Sequence, residues 1–304
     1  MRLLRRFLAF PSNWLALGLI LALALVALGA EQIAPPREDE PLPRPGLPGE
    51  PSGEHILGTT PMGRDIFRPL IWGTRDAFRF GLVVTGLTAL AGVTVGAASG
   101  YAGGTVNTVL MRVTDGFLAF PAIASVWLFN EVLLQGDLAN PAPWQSLLFQ
   151  LRVDPIMLAL IAFSWMPYAR LINASVRRIK QEDFVEAARA QGLSHTRIVV
   201  RHPLPNAIGP AVVLAARDVG GMVVLAMAFT FIGVGFGGST WGALLVQNRN
   251  YIIGAGGNPL RYWWTFLPVT VAIVAFGLGW NLLGDGLNRL LDPRQKAAWH
   301  SKTT

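Results

Sequence analysis

Groups able to do acid–base, nucleophilic or metal chemistry are few in this chain and are not spaced to work together. The four histidines are His55, His195, His202 and His300. No two of them form the His-Glu-(two residues)-His pattern that places zinc ligands on one helix face. No Gly-(one residue)-Ser-(one residue)-Gly elbow occurs, so Gly237-Gly238-Ser239 reads as a turn rather than a nucleophile. The lysines are Lys180, Lys296 and Lys302, and none sits in a Gly-rich loop able to cradle nucleotide phosphates. The chain has no cysteine, which excludes disulfides, thiolate catalysis and cysteine metal sites.

Three charged pairs remain. Arg64 and Asp65 are either a metal or substrate site or a tie to an outer rim. Arg112 and Asp115 either line a pathway or anchor a helix end at the headgroups. Arg217 and Asp218 lie roughly 10 residues, ~15 Å, inside an apolar run. Charges that deep normally face a bundle interior or water. They read as an ion pair, mutual or between subunits, or as the lining of a substrate path.

Composition says what must hold these groups. The chain has 304 residues, 52% hydrophobic and 14% charged, a balance that belongs to a polytopic membrane protein. Its net charge of +7 sits in loops and ends, where positive-inside placement explains it without nucleic acid. Six runs are long enough to span, over residues 14–30, 81–100, 116–134, 155–171, 207–234 and 263–283. The first follows Arg2, Arg5 and Arg6 and reads as an uncleaved helix, with a signal peptide the alternative. Residues 31–51 are rich in proline and acid and read as an extracytoplasmic strap. Residues 66–80 mix apolar positions with Arg68, Arg75 and Arg79, as in an interfacial amphipathic helix. The second run, rich in Gly, Ala and Thr, belongs inside a bundle. Residues 101–104 turn the chain, Pro121 interrupts the third run and Pro167 lies near the end of the fourth. Trp263-Trp264 reads as an interfacial belt.

Between the fourth and fifth runs lies the longest charged segment. Residues 170–205 hold seven Arg or Lys against three acids, which places them in the cytoplasm. Glu182, Asp183 and Glu186 crowd a first helical turn, where the dipole favours negative charge. Phe184, Ala187, Ala188 and Gln191 follow at helical spacing. Gly192 supplies a left-handed stop. Ser194 is placed to cap a second helix over residues 195–201, with Pro203 and Pro205 ending it. A bent helical pair with small residues on one face suits docking into a partner's groove.

Glu186-Ala187-Ala188, three residues, Gly192, and then Leu204-Pro205 resembles the cytoplasmic EAA loop of permease subunits in bacterial binding-protein-dependent ABC importers. Gly58-Thr59, three residues, Gly63-Arg64-Asp65 resembles a signature of their dipeptide, oligopeptide and nickel branch, in its second permease type. Thr60 stands where that branch commonly has an acid. Trp241-Gly242, Trp263-Trp264 before Pro268, Asn281 to Leu287 and Leu291-Asp292-Pro293-Arg294 resemble further family segments. At Phe229-Thr230-Phe231-Ile232-Gly233, Ala226 replaces an acid the family often carries.

The resemblance implies an all-α membrane protein, type I ABC importer permease-like, with six transmembrane helices and both termini cytoplasmic. Residues 1–30 would be the N-terminus and first helix. Residues 31–80 would be the strap and amphipathic segment, 81–288 a five-helix core carrying the coupling loop at 176–205, and 289–304 a tail. It implies a sibling permease, two ABC ATPase subunits and an extracytoplasmic solute-binding protein as partners. ATP and Mg would be used by the ATPases, with no cofactor on this chain, which would be non-catalytic in the bacterial inner membrane. Glu186, Ala187, Ala188, Gly192, Leu204 and Pro205 would form the ATPase-docking site, and Arg217 and Asp218 a translocation path. Peptides are the expected cargo, with nickel, opines and oligosaccharides as alternatives. A secondary transporter using Arg217 and Asp218 as a relay is the competing class.

Overall fold

The computed structural model describes residues 7–35, 45–134, 142–234, 240–254 and 257–291, except the side chains of 133, 134 and 149. Residues 36–44 of the strap, residues 235–239 and the tail with Asp292-Pro293-Arg294 lie outside them. The regular elements of the described residues are all helices, apart from one isolated β-bridge between Thr59 and Asp65. In order they form α1 (Pro11–Leu28), α2 (Ala30–Ile33), α3 (Phe67–Ala102), α4 (Gly104–Ala119), α5 (Ala122–Leu134), α6 (Pro143–Gln150) and α7 (Pro155–Phe163). Next come α8 (Met166–Ile179), α9 (Asp183–Ala190), α10 (His195–Arg201), α11 (Pro203–Ile232), α12 (Thr240–Gln247) and α13 (Arg249–Ile252). A 3₁₀ turn (Pro259–Thr265) then leads into α14 (Leu267–Leu291). Five spans are long and apolar enough to cross a membrane: α1, α3, α7 with α8, α11 and α14. The pair α4–α5, bent by 84°, gives a sixth if the two are one broken span rather than a re-entrant loop.

α3 organises the bundle, packing on α1, α8, α11 and α12. It is 36 residues long, ~54 Å at 1.5 Å per residue. The amphipathic segment expected at 66–80 and the span expected from Gly81 are therefore one helix, and the boundary drawn at residue 80 falls inside it. Nothing between them breaks the helix. Pro69 lies in the first turn, where its missing N–H costs nothing, and Gly73 and Gly81 are places where neighbours come close. The buried Trp241 indole fills the space a side chain at Gly73 would occupy, and its Nε1 donates to Leu70 O at 2.8 Å.

Gly92, Gly96 and Gly100 form a stripe at four-residue spacing on α3. A Cβ at any of them would overlap α8, at Trp165 and Tyr168, at Ala169 and Ile172, or at Asn173 and Val176 respectively. Small residues on one face let two membrane helices approach to backbone contact. Next to this seam Asn173 Nδ2 donates to Ser99 Oγ at 2.7 Å and to Asn107 Oδ1 at 2.6 Å, joining α8, α3 and α4.

Other boundaries moved for local reasons. Phe120, held extended ahead of Pro121, ends α4 because a residue before proline avoids helical backbone. Pro167 and Pro203 each open a helix, in α8 and α11, since proline suits a first turn as well as it stops a last one. The tryptophan pair divides: Trp263 is exposed while Trp264 is buried in the core. Asp65 accepts from Arg68 N at 3.0 Å and stands 3.2 Å from His55 Nδ1, contacts within its own segment, while Arg64 is exposed. Asp115 pairs with Arg170 at 3.2 Å.

Candidate functional site

The two short helices fall where local signals put them. Glu182 occupies the N-cap of α9, with Asp183 and Glu186 in its first turn. Gly192 has φ +74°, and its N–H donates to Arg189 O at 2.9 Å while Leu193 N–H reaches Ala188 O at 3.4 Å. That bond pair is a Schellman ending, which requires the left-handed glycine. Ser194 holds the N-cap of α10 in extended backbone, but its hydroxyl makes no capping bond.

Burial sorts the expected docking residues into two groups. Val185 and Ala188 of α9 and Ile198 of α10 are buried, in one hydrophobic cluster with Tyr168, Ile172, Val176 and Ile179 of α8 and Ala207 and Ala211 of α11. Leu204 packs against the same cluster. Glu186, Ala187, Gly192 and Pro205 are exposed, with Phe184 beside them. Ala188, expected on the docking face, instead looks into the bundle. The 3.6-residue period explains this: Ala188 follows the buried Val185 by three residues and so shares its inner face, whereas Phe184 is exposed. The loop is thereby seated on both helices it connects. Phe184 also lies near His202, with ring centroids 6.2 Å apart.

The deep charges do not pair with each other. Arg217 Nη2 meets Asp285 Oδ1 of α14 at 2.5 Å, both side chains 43% exposed. The Arg217 stem crosses Gly284, where a Cβ would collide with it. Asp218 turns the other way and accepts from the buried Tyr168 Oη at 2.6 Å. Adjacent residues on a helix point about 100° apart, so one side chain meets α14 and the other α8. Farther along α14, Gly286 makes room for Phe7 and Asn13, and Arg289 donates to Ser12 Oγ at 2.9 Å and Asn13 Oδ1 at 3.0 Å. Asp285 and Arg289 thus join α14 to α11 and to α1.

Tyr168 was not singled out from sequence. A lone tyrosine in an apolar run carries no spacing signal, although an acid deep in the next run demands some donor. Tyr168→Phe is expected to lower stability by about 1–3 kcal/mol, leaving a half-buried carboxylate without its donor. Asp218→Asn, whose amide oxygen still accepts the bond, should cost less. Thermal unfolding of the purified protein in one detergent checks the order.

Among the described residues, no group of three His, Asp or Glu side chains is placed to hold a metal ion. The arrangement is mechanical: an exposed helical face, its seat, and polar ties between spans.

Known proteins with this pattern say which machine it serves. Residues 92–297 match the family of binding-protein-dependent transport system inner membrane components. The chain is 31% identical over 296 residues to a dipeptide transport system permease protein of Alkalihalophilus pseudofirmus, covering 96% of this chain and 90% of that one. It is 32% identical over 287 residues to a nickel transport system permease protein of Escherichia coli, covering 93% and 95%. A glutathione transport system permease protein of Pectobacterium atrosepticum is 29% identical over 280 residues, covering 91% and 85%. The match spans the loop and every helix that seats it, and the chain belongs to this family as a multi-pass permease of an ABC importer in the bacterial inner membrane.

Proposed function

We propose that the chain carries peptides across the membrane as one of two permease subunits, and that α9 and α10 dock on an ABC ATPase in the cytoplasm. The observation that carries this is the two-sided loop. Its outer face of Phe184, Glu186, Ala187 and Pro205 is free, and its inner face shares a core with α8 and α11. Force on the outer face reaches both spans without an intervening flexible link. Ala188 and Leu204 seat the loop, and Gly192 sets the angle between its helices.

The complete machine adds a sibling permease, two ATPases that use ATP and Mg, and an extracytoplasmic binding protein. This chain supplies no catalytic group. With six crossings and the seven basic residues of the loop inside, both termini would be cytoplasmic; the basic loop supports this orientation. ATP closes the ATPase pair and biases the permeases between inward-open and outward-open states. It does so only as far as it binds one state more tightly than the other. Arg217 and Asp285 border the translocation path, with Asp218 held aside by Tyr168. Peptide cargo is supported by the similarity to the dipeptide and glutathione permeases; the nickel relative marks the alternative.

Uptake into membrane vesicles tests this reading. Peptide accumulation should need ATP and the loaded binding protein, and should survive collapse of the ion gradients. Uptake driven by a gradient without ATP would replace the reading with secondary transport.

A further inference from the structure

Between the turn after α3 and the coupling loop lies a cavity of about 510 Å³ lined by Tyr101, Ala102, Lys180, Arg189 and His195. Three of these five side chains carry or can acquire positive charge. The tyrosine gathers them. Lys180 Nζ lies 5.1 Å from its ring centroid and donates to its carbonyl oxygen, Arg189 Cζ lies 5.6 Å from the same ring, and His195 Nδ1 is 3.2 Å from its hydroxyl. Among the described residues no carboxylate forms an ion pair with Lys180 or Arg189. Burial, and then the Arg189 charge, hold the Lys180 pKa below that of a free lysine.

Cations brought together around a cavity without a counter-charge repel one another, and an anion between them would remove that cost. Arginine and lysine together suit phosphoryl oxygens, the first through its planar fork and the second as a point charge. The lining comes from the end of α3, the residue after α8, the last turn of α9 and the first residue of α10. An anion held there would bridge two spans to both loop helices.

We propose that this cavity binds a phosphate-bearing anion through Lys180, Arg189 and His195, and that its occupancy stiffens the seat of the loop. Binding itself does not depend on the docking reading; only the consequence for coupling rests on it. Two sources offer the same chemistry. Lys180 follows directly on a span, at the depth where basic pockets meet the headgroups of anionic lipids, and the aqueous side offers free phosphate.

The test uses the whole importer in nanodiscs of phosphatidylcholine alone or with phosphatidylglycerol. Native mass spectrometry reads retained lipid, and labelled inorganic phosphate is titrated in the neutral discs. The expected result is anion binding by the native protein, weakened at least about tenfold, ~1.4 kcal/mol, in Lys180→Gln and Arg189→Gln and partly restored in Arg189→Lys. Retained phosphatidylglycerol assigns the headgroup, and phosphate binding alone assigns the soluble anion; either supports the proposal. If neither probe binds the native protein, the proposal falls, whether or not the variants assemble. It falls too if the glutamine variants bind both probes normally, and their loss of ATPase subunits would then assign the cations to a carboxylate on that partner. Failure of the docking reading would look different: the native permease would make no contact with an ATPase, whatever its anion binding.

Discussion

Gly192→Val is expected to abolish binding-protein-stimulated ATP hydrolysis and transport while leaving the chain in the membrane. Gly192 sits at φ +74°, and a side chain there would meet nothing within 4 Å. The effect therefore comes from backbone alone. A left-handed L-residue costs roughly 1–2 kcal/mol, and β-branching adds to it. The loop can relieve that strain only by giving up the bonds from Gly192 N and Leu193 N to α9. Once they go, α10 loses its angle to α9 and Ile198 leaves the shared core. Asparagine tolerates left-handed backbone, so Gly192→Asn should keep most of the activity. The pair of variants separates geometry from the mere loss of a glycine. ATPase assays on the reconstituted complex, at matched permease content, read the difference.

Gly96→Leu is expected to have a larger effect still, on assembly itself. Ala169 O and the Ile172 side chain stand where its Cβ would be. Backbone cannot rotate aside as a side chain can, so α3 and α8 must separate. Overpacking of a core commonly costs about 1–3 kcal/mol, and here the separation also strains the Asn173 bonds to Ser99 and Asn107. Gly86, on the same helix, would meet nothing within 4 Å, and Gly86→Leu serves as the control. Quantifying intact complex after mild solubilisation should show loss for Gly96→Leu and near-normal recovery for Gly86→Leu.

What could be read from sequence was whatever is written in neighbouring residues. The helices on either side of Gly192 follow from acids in a first turn, one glycine and a proline downstream, all within one short segment. The interior place of α3 followed from its small residues. Readings failed where the deciding partner lies far along the chain. Arg68, Arg75 and Arg79 suggested a separate interfacial helix, yet one helix runs from Phe67 to Ala102, and the partner packed on its outer part at Gly73 is the distant Trp241. Arg217 and Asp218 look like a pair in sequence, and only the packing of α8 and α14 shows that each has its own partner. Ala188 looked like a docking residue until the core beneath it was known. Prolines stayed ambiguous because one ring both stops a helix and starts the next.

The central claim is that the exposed face of α9 touches an ATPase, and the chain's lack of cysteine allows a direct test. Ala187→Cys, labelled with a photoreactive maleimide in the assembled importer, should crosslink to the ATPase subunit. Arg249→Cys, beyond the far end of α11, should not. If position 187 gives no ATPase adduct in a complex that still contains the ATPase, the docking face lies elsewhere and the account of coupling is wrong.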